Sequence, residues 1–202
     1  PGLVFVQRGP DTEAFLQKLA DAVRAAPCGT MLTHGIREAF LENRGRITSV
    51  ANVRPLAASA ATVHPERTEA EPSVATTSAR TFLANPVLAT EAFGPFTLVV
   101  VADDMAELSA CAASLEGQLT ATVHGTPADL AAAGSLLARL ERVAGRVVIN
   151  GFPTGVEVCP AMNHGGPYPA TTDTRFTSVG TAAILRFVRP VCYQSYPDPL
   201  LP

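Results

Sequence analysis

The sequence predicts an α/β fold, a mostly parallel twisted sheet with flanking helices, and three observations carry that prediction. Residues 97–102 (TLVVVA) form a continuous apolar run rich in β-branched side chains, as expected of a strand buried on both faces of a parallel sheet. From there to Ile149 the pattern alternates strand–helix–strand–helix–strand with short links, which implies parallel strands joined by right-handed crossovers. The chain has 202 residues, 47% hydrophobic and 16% charged, so it can bury a sizeable core.

Residues 3–7 (LVFVQ) read as a short buried strand. Asp11 offers an N-cap to a helix in which Phe15, Leu16, Leu19, Ala20 and Val23 recur at helical spacing, and Pro27 ends it. A shorter helix is expected over 34–42, with Ile36, Phe40 and Leu41 inward and Gly45 as its C′ residue. From 47 to 72 the signal weakens. Val50, Val53 and Val63 suggest short extended pieces within an exposed excursion of Ala, Ser, Glu and Pro. Residues 74–77 suggest a strand, and Ser78 can cap a short helix that stops before Pro86. Beyond the 97–102 strand, Asp103 and Asp104 cap a helix carrying Met105, Leu108, Ala112 and Leu115, and 119–124 reads as another strand. Thr126-Pro127-Ala128-Asp129 has the form of a capping box with Pro at N1. Its helix is expected to run to about Ala144, with Gly145 as terminator, before a strand at 146–149. Residues 179–187 suggest a last helix, and 188–193 a last extended segment ahead of a Pro-rich tail.

Composition excludes several functions. The net charge is -3 and the basic residues are scattered, which argues against a nucleic-acid face and a polybasic membrane patch. No stretch of about 18 apolar residues could span a membrane, and no charged-then-apolar leader opens the chain. Cys28, Cys111, Cys159 and Cys192 lack C-x-x-C spacing and do not suggest a disulfide framework; they read as reduced thiols of a cytoplasmic protein. His34, His64, His124 and His164 are too widely spaced to suggest a metal site. There is no G-x-G-x-x-G after a strand, no G-x-x-x-x-G-K-[ST], no H-E-x-x-H and no G-x-S-x-G. The chain opens without Met, directly into an apolar strand, which suggests a piece of a larger protein or a processed end.

The most informative stretch is 146–180, a strand followed by a long run of Gly, Pro, Thr and Asn. Loops longer than about 12–15 residues without secondary structure are usually functional or disordered. With Phe152, Val156, Val158, Met162, Tyr168 and Phe176, this one is too apolar for disorder and is a candidate pocket wall. Within it, Cys159 and His164 have two readings: a thiol activated by an imidazole, or a small packed cysteine beside a backbone-bonded histidine. Gly165-Gly166 can be a tight turn or a place where backbone approaches a ligand closely. Glu91, just before Phe93-Gly94-Pro95, can be a solvated surface carboxylate, or it can accept two ribose hydroxyls while the aromatic ring abuts a planar base.

Glu91-Ala92-Phe93-Gly94-Pro95 resembles the E-x-F-G-P motif of the aldehyde dehydrogenase superfamily. Gly145-Arg146-Val147-Val148-Ile149-Asn150 is similar to that family's G-x-V-x-[IV]-N strand, and Gly165-Gly166 to the paired glycines that follow it. Order, spacing and strand context agree across most of the chain. The segments NGFPTGVEV (150–158), HGGPYPAT (164–171) and RPVCYQ (189–194) further resemble the α-ketoglutarate-semialdehyde (2,5-dioxopentanoate) dehydrogenase branch. They depart from the lysine- and serine-containing sequence that follows the glycines in most of the superfamily.

The resemblance implies a catalytic-domain portion over 1–187 and an oligomerisation strand with a tail over 188–202. In the family a cysteine in a G-Q-x-C segment attacks the aldehyde, hydride passes to NAD or NADP, and water hydrolyses the thioester. That cysteine would lie just before Pro1, so the resemblance implies no catalytic residue in this chain and no turnover by it alone. Glu91 and Phe93 would hold the cofactor's nicotinamide ribose and ring. Phe152, Pro153, Thr154, Gly155, Val156, His164 and Gly165 would line the aldehyde pocket. The implied partners are a small aldehyde and further copies of the chain, joined through the C-terminal strand.

Overall fold

The computed structural model describes residues 1–202. The chain divides into two units, Pro1–Ser114 and Leu115–Pro202. In the first, β1 (Leu3–Gln7) leads to α1 (Thr12–Ala25). Asp11 holds the N-cap position of α1, but its side chain makes no capping bond; instead the Thr12 hydroxyl accepts from the Gly9 N–H at 2.8 Å. A two-residue strand, β2 (Gly29–Thr30), precedes α2 (His34–Thr48), whose first turn is capped by the Thr33 hydroxyl accepting from the Ile36 N–H at 3.2 Å. This helix does not stop at Gly45 as the sequence suggests. Continuing one more turn buries Ile47 two turns beyond the fully buried Phe40, which offsets the cost of about 1 kcal/mol for glycine in a helix interior.

The excursion that follows holds β3 (Arg54–Ala58) and β4 (Glu69–Ala70), the latter paired antiparallel with β2. Val50, Val53 and Val63 lie outside any strand. β5 (Ser73–Ser78) runs into α3 (Ala79–Ala84), capped by the Ser78 hydroxyl accepting from the Thr81 N–H at 3.1 Å. β6 (Phe96–Ala102) and α4 (Met105–Ser114) complete the unit, and the Asp104 carboxylate caps α4 by accepting from the Glu107 N–H at 2.8 Å.

The sheet order is β1-β6-β5-β3, with β6 parallel to both neighbours and β3 antiparallel at the edge. The apolar run of β6 has a direct cause. Val99 and Val101 pack with Val74 and Leu16, the last from α1. On β1, beside Val100, Phe5 meets Phe82 of α3 edge-on at 5.2 Å. With helices contributing to both faces, no position of β6 needs to be polar.

In the second unit, β7 (Gln118–Val123) and β8 (Ala144–Ile149) form a parallel pair, with Gln118 opposite Ala144 and Val123 opposite Ile149. The mostly parallel sheet with flanking helices is present, and the alternating run of strands is divided between two sheets: β6 pairs with β1 and β5, while β7 pairs only with β8. Between β7 and β8 lie α5 (Pro127–Ala132) and α6 (Gly134–Val143), a break at Ala133 that periodicity did not reveal. The capping box forms: the Thr126 hydroxyl accepts from the Asp129 N–H at 3.2 Å, and Asp129 accepts from the Thr126 N–H at 2.9 Å. Gly145 is not a helix terminator; it lies inside β8. In place of a last α-helix there is a 3-10 turn at Thr181–Arg186. Residues 188–193 form no strand within the chain, so the anticipated C-terminal strand has no partner here. No helix is long and apolar enough to cross a membrane.

Candidate functional site

The E-x-F-G-P segment belongs to the first unit. Ala92 is buried, while Glu91 and Phe93 on either side are exposed, Phe93 by 64%. Burial thus alternates along the segment, with Ala92 inward and the residues that carry the carboxylate and the ring outward. Two contacts fix this stretch. The Asn43 side-chain amide on α2 donates to the Glu91 carbonyl at 3.2 Å. Gly94 lies against α2, where an added Cβ would come within 2.5 Å of Phe40 and 2.9 Å of the Met31 methyl. The glycine of the motif is thus a packing requirement that seats the segment on a fully buried ring. The result is an open depression of about 330 Å³ lined by Pro1, Gly2, Glu91, Phe93, Gly94 and Thr97, among others. The Glu91 carboxylate makes no hydrogen bond or ion pair within the chain. Its two oxygens can therefore accept from the paired hydroxyls of a ribose, with an apolar ring two residues away to abut a planar base. This pair fits that part of a nicotinamide cofactor.

The long loop belongs to the second unit and is held from below by polar side chains. Arg146, inside β8, donates to the Pro153 carbonyl at 2.9 Å and the Gly155 carbonyl at 3.0 Å. It thereby brings the predicted residues Phe152, Pro153, Thr154, Gly155 and Val156 together as one supported stretch. Asn150 has a positive φ of 50°, a region that asparagine tolerates better than most residues. Its side-chain amide both accepts from the Gly125 N–H and donates to the Gly125 carbonyl, each at 2.9 Å, while its own N–H donates to the Val123 carbonyl at 2.9 Å. One asparagine thus ties together the carboxyl ends of both strands. His124, at one of those ends, lies 5.4 Å from the Phe152 ring.

His164 and Gly165 stand on other supports. The His164 N–H donates to the Thr177 hydroxyl at 2.8 Å, and its carbonyl accepts from the Ser178 N–H at 3.0 Å and hydroxyl at 2.9 Å. Gly165 and Gly166 are buried. A Cβ on Gly145 would collide with the Gly165 carbonyl, and one on Gly166 with the Gln118 carbonyl. These glycines allow the loop backbone to lie directly on the strand pair. Cys159 and His164 make no hydrogen bond to each other, and the His164 Nδ1 is buried without any partner. The activated Cys–His pair is not formed; Cys159 is half-buried. Burial pushes the Cys111 thiol up to about 11, with Glu107 adding to the effect, which removes it as a nucleophile near neutral pH.

Above these supports the loop remains open. Phe152 is 81% exposed, Tyr168 77%, and Val158 is also outward. Sequence reasoning missed Arg146, Asn150 and Thr177 as the positioning residues. Arg146 gave a usable signal, as a lone charge inside an otherwise apolar strand next to a glycine.

No protein-family model matches the chain. Along its full length it is 46% identical, over 202 residues, to alpha-ketoglutaric semialdehyde dehydrogenase 2 of Azospirillum brasilense, covering 38% of that protein. It is 43% identical, over 204 residues, to alpha-ketoglutaric semialdehyde dehydrogenase of Acinetobacter baylyi, again 100% of this chain and 38% of the relative. Over its whole length the chain is related to the aldehyde dehydrogenases. The NAD+ complex of the aldehyde dehydrogenase from Bacillus cereus shares its fold, with a TM-score of 0.67 at 18% identity over 91% of this chain and 36% of that one. The chain thus spans well under half the length of the aldehyde dehydrogenases it matches.

Proposed function

We propose that this chain is part of an NAD(P)-dependent aldehyde dehydrogenase that oxidises an aldehyde to a carboxylic acid through a cysteine thioester, the first unit carrying contacts to the cofactor ribose and the second carrying the loop that lines the aldehyde. The observation that carries the reading is Glu91. It is an outward carboxylate without a partner, on backbone fixed by Asn43 and Gly94, beside an exposed aromatic ring, in a chain 46% identical to a named aldehyde dehydrogenase. When bound, NAD(P)+ supplies the hydride acceptor. Glu91 orients it by accepting ribose hydroxyls, and Phe93 offers its ring to the nicotinamide. Phe152, Pro153, Thr154, Gly155 and Val156, held by Arg146, line the approach of the aldehyde together with His164 and Gly165. The aldehyde is α-ketoglutarate semialdehyde, the compound in the names of both relatives. We assign the nucleophile's role to none of Cys28, Cys111, Cys159 or Cys192.

Assayed alone, the 202 residues should give no cofactor-dependent oxidation of α-ketoglutarate semialdehyde, and measured NADH or NADPH production would contradict this. In a longer dehydrogenase carrying the chain, Glu91→Gln should raise the KM for cofactor by about tenfold, as expected for loss of charge-assisted hydrogen bonds, and leave the aldehyde KM unchanged. An unaltered cofactor KM would remove Glu91 from that site.

The reading extends to assembly in the cytoplasm as a homo-oligomer. Residues 188–193 have no strand partner, and Phe187, Val188, Val191 and Tyr193 are exposed. Such a segment suits strand addition to a second copy. Sedimentation of the dehydrogenase as a monomer at high concentration would count against it.

A further inference from the structure

We propose that Arg44 of α2 is a positioning residue for the cofactor contact: it fixes the far end of the Glu91–Pro95 segment, as Asn43 fixes the near end, and so sets where the Glu91 carboxylate stands. This role rests on the cofactor contact proposed for Glu91 and adds the residue that holds it in place. Phe40, Asn43, Arg44 and Ile47 recur at i, i+3, i+4 and i+7, so they share one stripe of α2. The two ends of the stripe, Phe40 and Ile47, are buried. Asn43 and Arg44 are polar where such a stripe ordinarily continues apolar. Phe40 lies against Gly94, whose added Cβ would come within 2.5 Å of the ring. Asn43 donates to the Glu91 carbonyl at 3.2 Å, and its amide oxygen accepts from Arg46 at 3.3 Å, which leaves the amide N–H for the motif.

Arg44 reaches the other end of the motif. Its guanidinium lies over the Phe40 ring, 5.3 Å from the centroid. It donates to the Glu71 carboxylate at 3.2 Å and to the Ser73 hydroxyl at 3.3 Å. Ser73 opens β5, and its N–H donates to the Pro95 carbonyl at 2.8 Å. The segment is therefore held at one end by Asn43 on Glu91 and at the other by Arg44 through Ser73 on Pro95. The Arg44 side chain is 22% exposed and that of Glu71 35%, so solvent screens this pair less than an open surface pair. A lysine would keep a charge opposite Glu71 but has no planar face to lie on Phe40. Loss of Arg44 frees the Ser73 side chain and loosens the Pro95 end, while Leu98, Val99 and Val100 stay packed in the sheet. The effect falls on the motif and not on the core.

The test takes a longer dehydrogenase carrying the chain and measures NAD+ binding by calorimetry with no aldehyde present, together with amide exchange over 91–96 and the KM for aldehyde. Arg44→Met keeps hydrocarbon on Phe40 and removes both hydrogen bonds. It should weaken NAD+ about fivefold, the scale of one net hydrogen bond. Exchange over 91–96 should quicken, and the aldehyde KM should not change. Arg44→Lys should recover part of the loss by restoring the charge without the planar fork. In a Glu91→Gln background, Arg44→Met should weaken NAD+ by less than about twofold, because it acts through that carboxylate. Ser73→Ala removes only the hydroxyl that Arg44 reaches; it should weaken NAD+ about threefold and decides the matter where Arg44→Met does not fold. Wild-type NAD+ affinity in Arg44→Met or in Ser73→Ala, with weak binding in Glu91→Gln, would overturn the role of Arg44 and leave that of Glu91 standing. A full fivefold loss on top of Glu91→Gln would overturn it too, since Arg44 would then act elsewhere. Wild-type NAD+ affinity in Glu91→Gln would remove both roles.

Discussion

In the Pro1–Ser114 unit, Glu91 and Phe93 stand on packed hydrocarbon: Ala92 and Phe40 are buried, and the β6 strand that follows is buried at every position but Thr97. In the Leu115–Pro202 unit, the loop that carries Phe152 and His164 stands on hydrogen bonds. The buried hydrophobic residues there are confined to Ala133, Leu136, Leu140 and Ala144, none of them in the loop. Its order comes from Arg146, Asn150, Asn163 and Thr177 bonding to backbone, and from glycines that let backbone lie on backbone. A motif seated on packed side chains can be disturbed only by opening a cavity or forcing an overlap. A loop hung on a few polar side chains can be released by removing one, while the strands beneath it persist.

The comparison is most severely tested in the first unit. Leu98 is fully buried at the centre of the sheet, so Leu98→Ala should cost about 3 kcal/mol in chemical denaturation. A loss below about 1 kcal/mol would show that this core is loosely packed. Next in size is Gly145→Ala, whose Cβ would meet the Gly165 carbonyl. It should destabilise the loop by about 2 kcal/mol, the scale of a forced overlap. Faster amide exchange over 150–180 with unchanged exchange in β6 is the expected pattern, and acceleration in both would merge what we separate. Asn150→Ala removes two side-chain hydrogen bonds and strains a positive φ, for about 1.5 kcal/mol of local stability read by the same exchange. Thr126→Ala breaks one arm of the capping box at α5 and should cost about 1 kcal/mol, seen as fraying of 127–132.

The smallest effect is with pH. The Asp173 carboxyl is lowered to about 2, chiefly by the hydrogen bond from the Arg175 side chain and then by the Arg175 N–H. A depressed carboxyl contributes stability that is fully present above its unfolded value of about 3.9 and is lost as pH falls through about 2. The pair is exposed, so the change should be slight and local: exchange near 173–176 should quicken between about pH 4 and pH 2 and be flat above. Asp173→Asn should abolish that acid step.

Much of the first unit was legible in the sequence because hydrophobic burial leaves a linear record. The 97–102 run gives a strand buried on both faces, and the 3.6-residue recurrence through Leu16 and Ala20 gives α1. What could not be read were features decided by contacts distant in sequence. Gly45 looks like a stop, yet Ile47 finds a buried place and α2 continues. Gly145 also looks like a stop, yet the residue it must accommodate is twenty positions later. Alternation reports that strands are parallel without saying which are neighbours, so the pairing of β6 with β1 and β5 could not be read. In the candidate site, Glu91 and Phe93 were singled out by motif, and the physical reason for the motif's glycine appeared only with Phe40 beside it. The polar supports of the loop leave no period to detect, since each is a single side chain reaching a backbone group.

The most direct measurement replaces the matching segment of the Azospirillum brasilense relative with this chain and assays NAD(P)-dependent oxidation of α-ketoglutarate semialdehyde. The chimera should be active, with a cofactor KM that rises on Glu91→Gln. A chimera that folds and assembles like the parent yet oxidises no aldehyde would contradict the proposed function.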